Sequence, residues 1–144
     1  MMLRTTAAFI LMALAAVPAL AQSDAAKTFE HYEAIRAALA GDELKGVDRH
    51  ATALAPLAEG LGGAEARKAA EGIGTARDIK VARERFGVLS ASLLPKFEAA
   101  ALEGVHLFTC GMVNQSWAQR GQKVQNPYMG KSMLTCGSPY EGKK

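Results

Sequence analysis

Ile79-Lys-Val-Ala82-Arg-Glu-Arg-Phe86-Gly-Val-Leu89-Ser-Ala-Ser-Leu93-Leu-Pro-Lys-Phe97 carries apolar residues at steps of three and four: Ile79, Ala82, Phe86, Leu89, Leu93 and Phe97. An α-helix turns once in about 3.6 residues, so this spacing gathers them on one stripe that must be buried against something else. Thr75 and Asp78 ahead of the stripe fit a variant capping box, Pro95 can kink the helix, and Gly104 closes it. The charges at Arg83, Glu84 and Arg85, like those at Arg67 and Lys68, read as a solvated helix face.

Toward the N-terminus the texture stays helical, with abundant Ala and few β-branched residues. Leu44, Val47, Ala51, Leu54, Ala58 and Leu61 repeat at the same spacing, with Asp42 as a cap and Pro56 as a bend. Gly60, Gly62 and Gly63 read as a loop, followed by a short helix from Ala64 to Ile73. The first helix is expected from Asp24 to Ala40, with Phe29, Tyr32, Ile35 and Leu39 inward and Gly41 as its stop. His31 and His50 sit beside charged residues and read as surface groups. Short connections favour antiparallel neighbours, so the expected fold is mainly α: an up-and-down bundle of three or four helices over residues 22–104.

Residues 1–21 read as a signal peptide. Arg4 gives the positive start, Ala7 to Val17 is apolar and uncharged, and Ala19-Leu20-Ala21 is a small-x-small cleavage site. Cleavage there would release a periplasmic chain of 123 residues beginning at Gln22, with no transmembrane anchor. The formal net charge of +3 falls to +2 without Arg4, and no basic run with interleaved aromatics occurs, so no nucleic-acid partner is expected. Catalytic motifs are absent too. There is no Ser/His/Asp or paired-carboxylate arrangement, no C-x-x-C, and Gly72-x-Gly74 lacks both a third glycine and a preceding strand, so no enzyme is expected.

The chemistry gathers after Gly104, in residues 105–144. Every sulfur beyond the leader lies there, in the order Cys110, Met112, Met129, Met133, Cys136, and none occurs from Gln22 to Thr109. Thiolates and thioethers are soft donors suited to copper(I) and silver(I). His106 to Cys110 reads as a short strand, and if the extended backbone continues, His106, Cys110 and Met112 point the same way. Trp117 is expected to cover an apolar edge.

Two geometries suit the rest of this sulfur-rich loop. With Asn126 as cap, Pro127 in the first turn and Gly137 as stop, a short helix would put Met129, Met133 and Cys136 at roughly 0°, 40° and −20° on one face. Alternatively, Ser132 to Cys136 is a strand of a short β-hairpin with Leu107 to Cys110, which could bring the cysteines together. Gly130 weakens the helix and tilts the choice toward the strand.

His106-Leu-Phe-Thr-Cys110-Gly-Met112, then Trp117, then Asn126-Pro127-Tyr128-Met129-Gly130-Lys-Ser-Met133-Leu134-Thr-Cys136-Gly137 resembles the signature of a bacterial periplasmic domain of unknown function. That domain is found alone and at the C-terminus of copper and silver efflux adaptor subunits. The resemblance implies soft-metal handling by Cys110, Met112, Met133 and Cys136, and a heavy-metal efflux component as partner. Met129 stands where the family usually has an aromatic residue, so its place among the ligands rests on spacing, as does that of His106. Gly111 replaces a usual proline and loosens the Cys110–Met112 pair. Without the long hairpin of an adaptor subunit, the chain is expected to be a stand-alone binder.

The rival reading is a disulfide. Two cysteines in an exported protein commonly pair, and a Cys110–Cys136 bridge would stabilise the fold by roughly 3 to 4 kcal/mol. The chain would then be a stapled periplasmic interaction module without metal. A third possibility joins the two, with thiolates holding copper(I) when reduced and releasing it on oxidation.

Overall fold

The computed structural model describes residues 19–142. The expected signal peptide lies outside these residues except for Ala19-Leu20-Ala21, which fall at the start of the first helix. The order of elements is α1 (Ala19–Ala40), α2 (Val47–Gly74), α3 (Ile79–Ala100), β1 (Val105–Cys110), β2 (Gln115–Arg120), a short 3₁₀ turn (Gly130–Met133) and β3 (Ser138–Pro139). The chain is thus mainly helical with a small antiparallel sheet, in strand order β2-β1-β3. No helix among the described residues is long and apolar enough to cross a membrane.

The stripes read from sequence form the core. Phe29, Tyr32, Ile35 and Leu39 of α1, Ala51, Leu54 and Ala58 of α2, and Ala82, Phe86, Leu89, Leu93 and Phe97 of α3 are all buried. Each large apolar side chain removed from water in this way contributes about 1.5 to 3 kcal/mol before entropy is counted. Tyr32 lies against Phe86 and Phe97, with ring centroids 4.9 and 5.1 Å away, and Phe29 meets Phe97 edge-on at 5.3 Å. Alanines on α2 let the neighbouring helices approach, and at Gly62 a Cβ would already touch Leu93 of α3.

Several details differ from the sequence reading. The expected loop at Gly60–Gly63 is helical except at Gly63, whose φ of 84° and ψ of −176° break α2 into two runs. The backbone stays helical through Pro56 and Pro95, so the break occurs where glycine allows a left-handed φ and not where proline removes a donor. Asp78 caps α3 by accepting the Lys80 N–H at 2.7 Å, while Thr75 closes α2 instead of joining that cap.

Asp42 does not cap α2, which starts behind Gly46 without a side-chain cap. Its carboxylate accepts from Arg83 at 2.6 Å and from the Lys131 N–H at 3.1 Å. Arg83 is likewise no part of a solvated face. It also donates to the carbonyls of Leu39 and Pro127, both at 2.7 Å, and so ties the end of α1 and the tail to α3.

The sheet departs most from expectation. The β1 partner in the hairpin is β2, with Phe108 opposite Trp117 and Cys110 opposite Gln115, and Ser132 to Cys136 is not a strand. Side chains alternate along a strand, so Phe108, Cys110, Trp117 and Gln119 share one face and Leu107, Thr109, Ser116 and Ala118 the other. The second face lies toward Gly87, Ala91 and Leu94 of α3. The first is covered by the tail: Gly137 packs on the Trp117 ring, and Gln119 donates to the carbonyls of Gly121 and Lys123. Trp117 is therefore wholly buried and not at an edge.

Side chains close the outer rim of β2. Tyr32 Oη accepts the Ala118 N–H at 3.2 Å, Glu33 accepts the Arg120 N–H at 3.3 Å, and Tyr128 Oη donates to the Ser116 carbonyl at 2.6 Å. Arg36 fixes Glu33 by two hydrogen bonds, at 2.8 and 2.9 Å, and donates to the Gln125 carbonyl at 3.0 Å.

Candidate metal centre

Cys110 ends β1 on the face that the tail covers, and the tail returns Cys136 to it across 26 positions. The two Sγ atoms stand 3.7 Å apart, both as free thiols, with Cys110 buried and Cys136 half-buried. Asn126 makes this return possible. Its side-chain amide donates to the Cys136 carbonyl at 2.7 Å, its Oδ1 accepts the N–H groups of Tyr128 and Met129, and its own N–H donates to the Leu134 carbonyl. Asn126 is fully buried, so each of these bonds is made away from competing water.

The capping role read for Asn126 is therefore present, but the helix behind it is only a turn followed by 3₁₀ structure. Gly130 accounts for this. Its φ is 60°, and its backbone lies so close to Asp42 and Arg83 that a Cβ would collide with both. An α-helix cannot propagate through that conformation, so Met129, Met133 and Cys136 do not form a continuous α-helical stripe.

The two thiols differ in character. Burial works to raise the pKa of Cys110, but the Val113 N–H, the Asn126 side-chain amide, the Met112 N–H and the Cys136 thiol outweigh it and hold Cys110 below the usual thiol value. Cys136 is pushed up, first by its hydrogen bond to Cys110, then by burial and by the Cys110 charge. Of the two thiols, Cys110 is thus the first to lose its proton and Cys136 the second.

The remaining sequence candidates differ in exposure and in the element that carries them. Met112 belongs to the turn after β1, not to the strand, and is 65% exposed. Strand alternation therefore does not carry it onto the Cys110 face, although its backbone N–H serves the Cys110 sulfur. Met133 immediately precedes the return to Cys136, whose N–H donates to the Met133 carbonyl at 3.1 Å, and its side chain is 38% exposed. Met129 is half-buried and packs against the apolar core. His106 shares the β1 face with Cys110 but is four residues back, about 13 Å along a strand, and so stands apart from the sulfur pair.

Two thiolates on a tetrahedral ion with metal–sulfur bonds of about 2.3 Å stand about 3.8 Å apart. The observed separation therefore fits two sulfurs on one ion with little movement. Closing to a disulfide at about 2.05 Å requires the sulfurs to approach by about 1.7 Å. Among the described residues no group of three or more His, Cys, Asp or Glu side chains could hold a metal, so the cysteine pair is not part of such a group.

Sequence reasoning missed Arg83, and it missed β2, whose Gln-Ser-Trp-Ala-Gln-Arg lacks a β-branched run; the only local signal is Asn114 in the hairpin turn, at φ 51°. It also missed that His31 and His50 meet. Comparison with known proteins finds no matching family model, no matching curated protein and no matching solved structure. The family resemblance therefore rests on its motif residues alone.

Proposed function

We propose that the chain binds copper(I) or silver(I) in the periplasm, for sequestration or delivery to a heavy-metal efflux component. The observation that supports this best is the Cys110–Cys136 pair, 3.7 Å apart with one thiol biased toward thiolate. Cys110 and Cys136 would be the anionic ligands, and the exposed thioethers of Met112 and Met133 the neutral donors that complete the shell as an ion arrives. Thioethers favour copper(I) and silver(I) over zinc, which otherwise suits two thiolates. Met129 ranks below them because it packs on the core, and His106 below that. Export, the efflux partner and the absence of catalysis are parts of the same proposal.

Anaerobic copper(I) titration with thiol counting tests it. Two free thiols and one tightly held ion are expected, with Cys110→Ser weakening binding far more than Met129→Leu. Equal loss from both variants would overturn the ligand ranking. A quantitative Cys110–Cys136 disulfide in rapidly alkylated periplasmic protein, with no uptake after reduction, would establish the stapled interaction module instead.

A further inference from the structure

His31 on α1 and His50 on α2 read from sequence as separate surface groups. In the fold their Nδ1 atoms face each other at 3.2 Å, with ring centroids 5.5 Å apart and ring planes inclined at 49°. Both rings are half-buried, and they lie on the two helices that lead into and out of the Gly41–Gly46 turn.

Two imidazole nitrogens this close have two ways to coexist. One can donate a proton to the other, or both can direct lone pairs at a single cation. With metal–nitrogen bonds of about 2.0 to 2.1 Å, a separation of 3.2 Å corresponds to a bite angle of about 100 to 106°, near the tetrahedral value. We infer that His31 and His50 form a second metal site, which binds a divalent transition ion of the imidazole-seeking class, copper(II) most strongly, through both Nδ1 atoms.

The exchange is balanced: the proton now carried on one Nδ1 moves through solvent to Nε2 of the same ring, and both imidazoles bind neutral. His50 is already inclined to be neutral, since burial, then His31, then Arg49 lower its pKa. Arg49 also repels an approaching cation, which limits the affinity. As no cluster of three His, Cys, Asp or Glu side chains occurs among the described residues, water or an external ligand must fill the other positions. This site differs from the sulfur pair in donor type, preferred oxidation state and place in the fold, and does not depend on that pair's function.

The test is copper(II) titration of the full chain carrying Cys110→Ser and Cys136→Ser, which removes the thiols that would reduce the ion. A copper(II) resonance with two imidazole nitrogens is expected, and His31→Gln and His50→Gln should each weaken binding at least tenfold. The second measurement uses the wild-type chain and nickel(II), which thiols do not reduce. Paramagnetic broadening should centre on the backbone around residues 31 and 50 and vanish in His50→Gln. Affinity within twofold of the parent in His31→Gln, or the absence of nickel(II) broadening around residues 31 and 50, overturns the proposal, whereas additional broadening at the cysteine pair leaves it standing. Should the serine variant fail to fold, the nickel(II) map decides alone.

Discussion

The carboxylate of Asp42, in the turn after α1, lies 2.6 Å from the guanidinium of Arg83 near the start of α3, and its second oxygen accepts the Lys131 N–H of the tail. Bundle and tail are joined at this point. The hydrogen bonds from Arg83 and Lys131 hold the Asp42 carboxyl below its ordinary value. A carboxyl with a lowered folded-state pKa adds stability at pH values above the unfolded value, about 4, and loses that contribution as pH falls through the folded value. Asp42→Asn should therefore lower Tm at pH 7 and narrow the gap to wild type at acid pH, as calorimetry across pH 2.5 to 7 would show. A Tm gap independent of pH would refute the linkage.

Tyr32 is the buried hinge of helix and sheet contact, joined to Ser90 Oγ at 2.7 Å while accepting the Ala118 N–H. Burial drives its phenol pKa strongly upward, so it remains neutral throughout the accessible pH range. Tyr32→Phe keeps the ring but orphans Ser90 and the Ala118 N–H, and should cost about 1 to 3 kcal/mol in urea unfolding. Adding Ser90→Ala to the Tyr32→Phe variant should recover part of that loss.

Gly60 and Gly63 are three residues apart and should respond oppositely to alanine. Gly60 is helical with open space around a Cβ, so Gly60→Ala should stabilise by about 0.4 to 1 kcal/mol. Gly63 holds a conformation nearly restricted to glycine, and Gly63→Ala should cost about 1 to 3 kcal/mol. Urea unfolding of the pair tests where α2 breaks.

Under the proposed copper(I) role, the unequal thiols predict a stepped pH dependence. Below the Cys110 pKa the incoming ion displaces about two protons, between the two thiols' values about one, and above the Cys136 value none. Affinity should therefore rise with pH and flatten in two stages. Proton release measured calorimetrically in buffers of differing ionisation enthalpy gives these slopes, and a single uniform step would refute the asymmetry.

The bundle was legible because a helix turns local spacing directly into a buried face: the stripes of α1 and α3 sit inward as read. The tail was less legible because distant partners decide its conformation. Gly130 is held by Asp42 and Arg83 rather than by its neighbours in sequence, and β2 pairs through a Trp buried beneath a loop that follows it. The sulfur cluster was visible as composition, and the fold brings its two cysteines together. His31 and His50, nineteen positions apart on different helices, gave no sequence signal of meeting.

A sheet of three strands has two rims at which another molecule's backbone could add. On the β2 side that route is obstructed, since Tyr32, Glu33 and Tyr128 already occupy the Ala118 and Arg120 amides and the Ser116 carbonyl. Addition of a neighbouring chain at this rim is consequently disfavoured, and losing any of these three plugs would hand neighbouring molecules a template.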